Sequence, residues 1–317
     1  GSAYKIFVYS EAFEQLGLTP ADMITDRPVC IGDWCPQNYG RNYKGTVTLA
    51  SAFAQSLNTV PVTLSIKTGR DTIAALSHRM GLQADYPVTR SLALGVASVS
   101  VLDMTSSYAV LANGGYKTPA FGITRMTTLS GDKVFEIDPD APRERVLSET
   151  TVANMNSMLR GVITGGTGRR ADVPGVPVLG KSGTTSSYRD AWFCGFTGNY
   201  VAAVWFGNDD YHPTNNLTGG TLPAIAWQKF MAYAHTNIDI EPVFGVDFVP
   251  EPVVVADSDA TVLEDEIAQR PPSLTPGAAR KLVDLAEIFA ATLKDAAPPV
   301  DQASIAATTP GPQQAVN

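Results

Sequence analysis

The sequence has no apolar run long enough to cross a bilayer and no leader with a basic start and a cleavage site. If the protein works outside the cytoplasm, its export and anchoring signals are expected upstream of this stretch. It also lacks a basic block. With 23 Lys and Arg against 31 Asp and Glu, a net charge of −8 and a pI near 4.9, nucleic acid is not an expected partner. Histidine is scarce: His78, His212 and His235 lie far apart and in no H-x-H or H-x-x-E-H spacing, so a metal site is not expected. A histidine triad is equally disfavoured, because there is no G-x-S-x-G elbow. Of three cysteines, Cys30 and Cys35 share a Gly/Trp/Pro loop that suits either a small-loop disulfide or two free thiols, and Cys194 reads as a buried small hydrophobe in a strand. What is plentiful is apolar residue: 44% of 317, enough for one large core with chain left over.

The most informative stretch is VPVLGKSGTTSSYRDAWFCGFTGNYVAAVWFGNDD, residues 176–210. Two aromatic and β-branched runs flank Gly198-Asn199, a strong hairpin signal, and VPVLGKSG has the composition of a third strand beside them. Lys181, Ser182, Gly183 and Thr184 are therefore expected on an exposed strand edge, where a cation, hydroxyls and bare backbone can take an anionic extended ligand by strand addition. The same residues also spell a phosphate loop, G-x-x-x-x-G-K-S from Gly175 to Ser182. A phosphate loop needs a strand before it and a helix after it. Here GGTGRRADVP precedes and a hairpin follows, which disfavours a nucleotide-binding ATPase.

At the start of the chain, SAYKIFVYSEAFEQLG predicts a buried helix closed by Gly17. Ser2 and Lys5 share one face of it, and a lysine in a dry site can be acidic enough to activate a serine. A cloning scar or an ordinary helix cap at Gly1-Ser2 also fits. Residues 19–45 read as loop, and TVTLASAFAQSLNTV as a helix ending near Ser56 and Asn58. A hydroxyl and an amide there can shuttle a proton and hold a carbonyl, although S-x-N alone also suits a polar helix end.

S-x-x-K, S-x-N and K-S-G in this order form the motif set of penicillin-binding proteins and serine β-lactamases. With GSAYKIFVY, PQNYGRNYKGTVTLASAFAQSLNTV, GGTGRRA, GKSGTTSSYRDAWFCGFT and TGGTLPAIAWQKFM, residues 1 to about 236 resemble the transpeptidase domain of a class A, bifunctional penicillin-binding protein. The resemblance implies that Gly1-Ser2 is native, that Ser2 is the acyl-accepting nucleophile and Lys5 its base, and that Ser56 is the proton relay. It implies that Asn58 holds the substrate amide, that Lys181 completes the polar cluster, and that Ser182, Gly183 and Thr184 receive the substrate's terminal carboxylate. The backbone amides of Ser2 and Thr184 would form the oxyanion hole. The family's more usual Lys-Thr-Gly is Lys-Ser-Gly here, which keeps the hydroxyl.

The implied fold is α+β, serine β-lactamase/transpeptidase-like, with an antiparallel sheet flanked by helices. The implied activity is D,D-transpeptidation or carboxypeptidation of peptidoglycan stem peptides without cofactor. Stem peptides, the lipid II polymer, β-lactam antibiotics and cell-wall synthesis proteins are the implied partners. The family's membrane span, glycosyltransferase domain and first sheet strands would lie upstream, placing the catalytic domain on the periplasmic face of a bacterial inner membrane. Without those strands, residues 1–317 alone are expected to be less stable than a longer chain. A β-lactamase would need a second base for water, and no E-x-x-L-N loop appears between Ala84 and Gly180; a β-lactam sensor would share the motifs.

Further along, a helix after Val101 stops at Gly114-Gly115, a hairpin turns at Gly131-Asp132, ETTVANMNSMLRGVI reads as a helix, and LPAIAWQKFMAYAH is the last helix of a domain 1–237. Tyr188, Arg189 and Asp190 read as structural. Residues 238–317 shift to Pro, Ala and acid and read as a largely disordered extension with room for one helix near 277–296.

Overall fold

The computed structural model describes residues 1–138 and 141–247. The expected C-terminal helix near 277–296 lies outside them. The described residues form one compact unit.

A 3₁₀ turn, Ser2–Tyr4, leads into helix α1, Lys5–Leu16. Every residue from Lys5 to Phe13 is buried, as an all-round apolar helix requires. Gly17 ends it in the left-handed conformation, φ 62°, with its N–H bonded to Phe13 O at 3.1 Å. The next segment is not all loop. Strand β1, Met23–Asp26, pairs antiparallel with β2, Gly45–Thr48. The expected helix starts later than its sequence suggested: TVT belongs to β2 and α2 is Leu49–Ala54, after which come α3, Thr59–Thr68, and α4, Arg70–Arg79. Thr48 caps α2 by accepting from Ser51 N, which is why the helix starts after the threonine.

The middle follows the sequence closely. Helix α5 is Val101–Ala112, with Met104 and Tyr108 in the core. Strands β3, Arg125–Thr127, and β4, Lys133–Glu136, form the expected hairpin, and both are exposed. Helix α6, Glu149–Thr164, is capped by Ser148, which accepts from Thr151 N.

The central sheet has the order β5-β6-β7: Leu179–Thr184, Asp190–Phe196 and Val201–Gly207, all antiparallel. Its two faces separate by the strand period of 2. Trp192, Cys194 and Phe196 of β6 join the core built by α1, α5 and α6, whereas Phe193 points to the other face and meets Trp227 and Met231 of α7, Leu222–Ala234. Residues Gly175–Ser182 run into a strand, not a helix, so the phosphate-loop reading fails on its structural requirement. β5 is an edge strand, as expected, but it is not exposed: Leu179–Gly183 are buried because the Ser2–Tyr4 turn and α6 cover it. Packing also continues past Asn237, the expected end of the domain, since Val243 is 4% exposed and Val246 rests on the same core.

Candidate active site

Gly1 and Gly183 explain how the first turn reaches the sheet. A Cβ on Gly1 would lie 2.9 Å from Thr184 O, and one on Gly183 would lie 3.1 Å from Ala3 N, so the two backbones touch where side chains would hold them apart. Tyr108 donates to Ala3 O at 3.0 Å and pins the same turn from α5. Ser2 thereby opens onto a cleft of roughly 790 Å³ whose lining includes Asn58, Thr184, Trp34 and Trp205.

Lys5, three residues on, is fully buried. Its Nζ donates to Ser56 O at 2.8 Å, Leu57 O at 3.0 Å and Asn58 Oδ1 at 2.8 Å, with Ser56 Oγ 3.4 Å away. Four acceptors thus surround the amine, one more than an ammonium's three donors. Ser56 is the group that the two lysines share. Lys181, also fully buried, donates from Nζ to Ser56 Oγ at 2.9 Å and to Ser182 O at 3.1 Å. Burial lowers the Lys181 pKa to about 7. Burial first, and then the Lys181 charge, hold the Lys5 pKa well below its usual value.

Ser56 has φ 57°, an uncommon conformation for a non-glycine residue. It occupies the position after the α2 cap: Ser56 N bonds Phe53 O and Leu57 N bonds Ala52 O, both at 3.0 Å. This is the Schellman arrangement, in which glycine is the usual residue. A serine there accepts backbone strain in return for a hydroxyl between two lysines.

The other expected residues divide. Thr184 lines the cleft, and its Oγ1 accepts from Gly219 N at 3.1 Å. Ser182 Oγ is paired with Thr167 Oγ1 at 2.7 Å, so its hydroxyl is already engaged by the GGTG loop. Gly183 is held between Trp192 and Ala3. Asp190 accepts from Thr185 Oγ1 and Trp205 Nε1, both at 3.0 Å, and also lines the cleft. Sequence reasoning missed Thr167, Trp34 and the Asp26–Asn38 pair. Thr167 and Asn38 stood inside two stretches of the family resemblance, GGTGRRA and PQNYGRNYKG, and nothing local distinguished them. Cys30 and Cys35 form a disulfide next to Trp34 and Gln37 of the cleft wall, and Cys194 is free and buried. No group of His, Cys, Asp or Glu able to hold a metal occurs among the described residues.

Comparison with known proteins places the chain within one family. The family described as penicillin binding protein transpeptidase domain matches residues 1–218. Penicillin-binding protein 1A of Aquifex aeolicus is 34% identical over 270 residues, covering 81% of this chain and 37% of that protein. Penicillin-binding protein 1A of Pseudomonas aeruginosa is 28% identical over 321 residues, covering 79% of this chain and 39% of that protein. The crystal structure of penicillin-binding protein 1A from Haemophilus influenzae superposes with a TM-score of 0.70 at 27% identity, covering 79% of this chain and 43% of that one. The chain spans less than two fifths of the length of either of the two relatives, and its fold is that of the serine transpeptidases. By sequence, motif order and fold, it belongs to the penicillin binding protein transpeptidase domain family.

Proposed function

We propose that this domain cross-links peptidoglycan as a serine D,D-transpeptidase. Ser2 Oγ attacks the carbonyl of the penultimate D-alanine while Lys5, as a neutral amine, receives the hydroxyl proton. The proton passes by way of Ser56 and Lys181 to the departing D-alanine amine. The amine of a neighbouring stem then attacks the Ser2 ester, returning the hydroxyl and forming the cross-link; water in its place gives carboxypeptidation. Asn58 orients the donor amide, and Ser182, Gly183 and Thr184 receive the terminal carboxylate. Thr184 does so from the cleft wall and Ser182 through its link to Thr167. The Ser2 and Thr184 amides stabilise the oxyanion.

The observation that carries this reading is the pair of fully buried, acid-shifted lysines that share Ser56 behind the Ser2 cleft. Structural lysines are rarely fully buried without a carboxylate partner, and perturbed groups of this kind gather at functional sites. β-Lactams acylate the same serine. The parent protein carries a glycosyltransferase domain and an inner-membrane anchor, and this domain faces the periplasm, an oxidising compartment that suits the Cys30–Cys35 disulfide. No described helix is long and apolar enough to cross a membrane.

Labelling with a fluorescent penicillin, followed by digestion and mass mapping, tests the proposal. A lasting adduct on Ser2, absent in Ser2→Ala, is the expected result. Rapid loss of the adduct would indicate a β-lactamase, and no adduct would overturn the assignment.

A further inference from the structure

Asp26, at the end of β1, is 1% exposed and takes no part in lining the cleft. Its carboxylate is surrounded by donors. Asn38 Nδ2 reaches its two oxygens at 3.0 and 2.9 Å, Lys44 N reaches Oδ2 at 2.7 Å, and the Thr59 hydroxyl donates to Oδ1. A carboxylate only accepts, so Asn38 must turn its NH₂ toward Asp26, where the same group also meets Asn42 O at 2.9 Å. The Asn38 oxygen is thereby turned the other way and accepts from Asn58 N at 2.7 Å.

Asn58 opens α3, and an asparagine in that position ordinarily spends its oxygen on the first-turn N–H groups of its own helix. Here it makes no such cap. Its Nδ2 donates to Gln37 O at 2.9 Å and its Oδ1 accepts from Lys5 Nζ at 2.8 Å. Asp26 instead accepts the hydroxyl of Thr59, the first residue of α3, and sets a negative charge near the positive end of the α3 dipole. The side chain of Asn58 is thus released from capping and aimed at the lysine. We propose that Asp26 is a positioning residue for the Lys5 amine, acting through Asn38 and Asn58, an inference that rests on Lys5 being the base.

The charged and titratable groups around this line are few. Lys181 faces Lys5 from β5, Asp26 stands behind the Asn38–Asn58 pair, and Tyr9, further along α1, feels the Asp26 charge. Replacing Asp26 by asparagine supplies an NH₂ where there was only an acceptor, so Asn38 can reverse and Asn58 loses its fixed partner. The Lys5 ammonium then loses one acceptor, which makes it more acidic.

The test is the rate of Ser2 acylation by a fluorescent penicillin across pH, measured per folded molecule in the full chain, for Asp26→Asn and Asn38→Ala. Both variants are expected to lose roughly ten-fold or more in the acylation step, because small misplacements near reacting groups carry large rate costs. Drug affinity before acylation should change by less than about two-fold, and the acid limb of the profile should move to lower pH. A purely structural role would lower the melting temperature and leave the acid limb where it is. If Asp26→Asn does not fold, Asn38→Ala decides alone. A folded variant with the wild-type rate and profile overturns the inference. A wild-type chain that forms no Ser2 adduct counts against the proposed function instead.

Discussion

Lys181 Nζ donates to Ser56 Oγ across 2.9 Å, joining a sheet strand to the end of a helix 125 residues earlier in the chain. Both Lys181 and Lys5 are buried with no carboxylate among their hydrogen-bond partners, and the Lys181 charge makes that of Lys5 harder to hold. Removing one charge has a defined consequence for the other. Lys181→Met takes away the repulsion that helps lower the Lys5 pKa, leaving burial as the main cause. Lys5 then keeps its proton to higher pH, and the acid limb of Ser2 acylation should move to higher pH. The pH profile of labelling by a fluorescent penicillin reads this shift directly; no shift would show that Lys5 is not the group being titrated.

Stability should respond to the same lysine. Lys181 has a pKa of about 7 in the folded protein against 10.5 as a free side chain. Between these values the unfolded chain binds more protons than the folded one, so stability rises with pH across this window and is flat on either side. The slope from this one group is at most about 1.4 kcal/mol per pH unit. Melting temperatures of the wild type should therefore rise from pH 7 toward 10, and Lys181→Met should lose that part of the rise. Parallel curves for the two proteins would mean that Lys181 is not buried as a depressed base.

Ser56 offers a way to separate strain from chemistry. Ser56→Ala and Ser56→Gly both remove the hydroxyl that Lys181 and Lys5 share, and both should be acylated far more slowly than the wild type. They differ in the backbone. Glycine accepts φ 57° freely, whereas alanine pays about 1 kcal/mol there, so the glycine variant should be the more stable of the two by about that amount. Urea unfolding of the pair measures it. Equal stability would show that the left-handed conformation of Ser56 carries no strain.

How far the site was legible depended on whether its signals were local. The α1 helix, its stop at Gly17 and the Gly198-Asn199 hairpin each rest on a pattern contained in a few neighbouring residues, and all three formed as expected. The β1–β2 pair did not show itself because it joins Met23–Asp26 to Gly45–Thr48, and strands of four residues across so long a connection carry no readable alternation. Ser56 was chosen from motif order, yet its backbone could not be read, since the Schellman position normally announces itself by glycine. Asp26 was invisible for a similar reason: nothing near it in sequence indicates that it will accept the hydroxyl of Thr59, the first residue of α3. The edge of β5 was identified but its exposure was misjudged, because the turn that covers it lies at the opposite end of the chain.

Gly183 of β5 should resist replacement because it lies against the Ser2 turn. An added Cβ would lie 3.1 Å from Ala3 N and from Trp192 Cβ, tighter than ordinary contact, and the Ala3 side is backbone. Gly183→Ala should push the Ser2 turn away from Thr184 and slow acylation more than it lowers stability, because overpacking typically costs about 1–3 kcal/mol while small displacements at the site cost rate steeply. Acylation rate and melting temperature of this one variant decide the matter. A normal rate would show that the turn and the strand move independently.

The domain should end near Val246 rather than at Asn237. Asn156, fully buried in α6, donates from Nδ2 to Phe244 O at 2.9 Å and to Leu111 O at 3.3 Å, tying the segment after α7 to α5 and α6. Val243 is 4% exposed, and Gly245, with φ 73°, passes so close to α6 that a Cβ there would lie 2.7 Å from Ala153 Cα. Losing the Val243 contact costs about 1.5–3 kcal/mol. Loosening one buried amide bond costs about 1 kcal/mol more. A chain ending at Asn237 should therefore be less stable than one ending at Asp247 by roughly 3 kcal/mol, a large share of the 5–15 kcal/mol that holds a typical domain. At about 2–4 °C per kcal/mol for a domain of this size, the melting temperature should fall by roughly 6–12 °C. Gly245→Val in the longer chain should reproduce part of the loss by lifting the segment from α6 without shortening it. If both chains melt together, residues 238–247 rest on the domain without stabilising it.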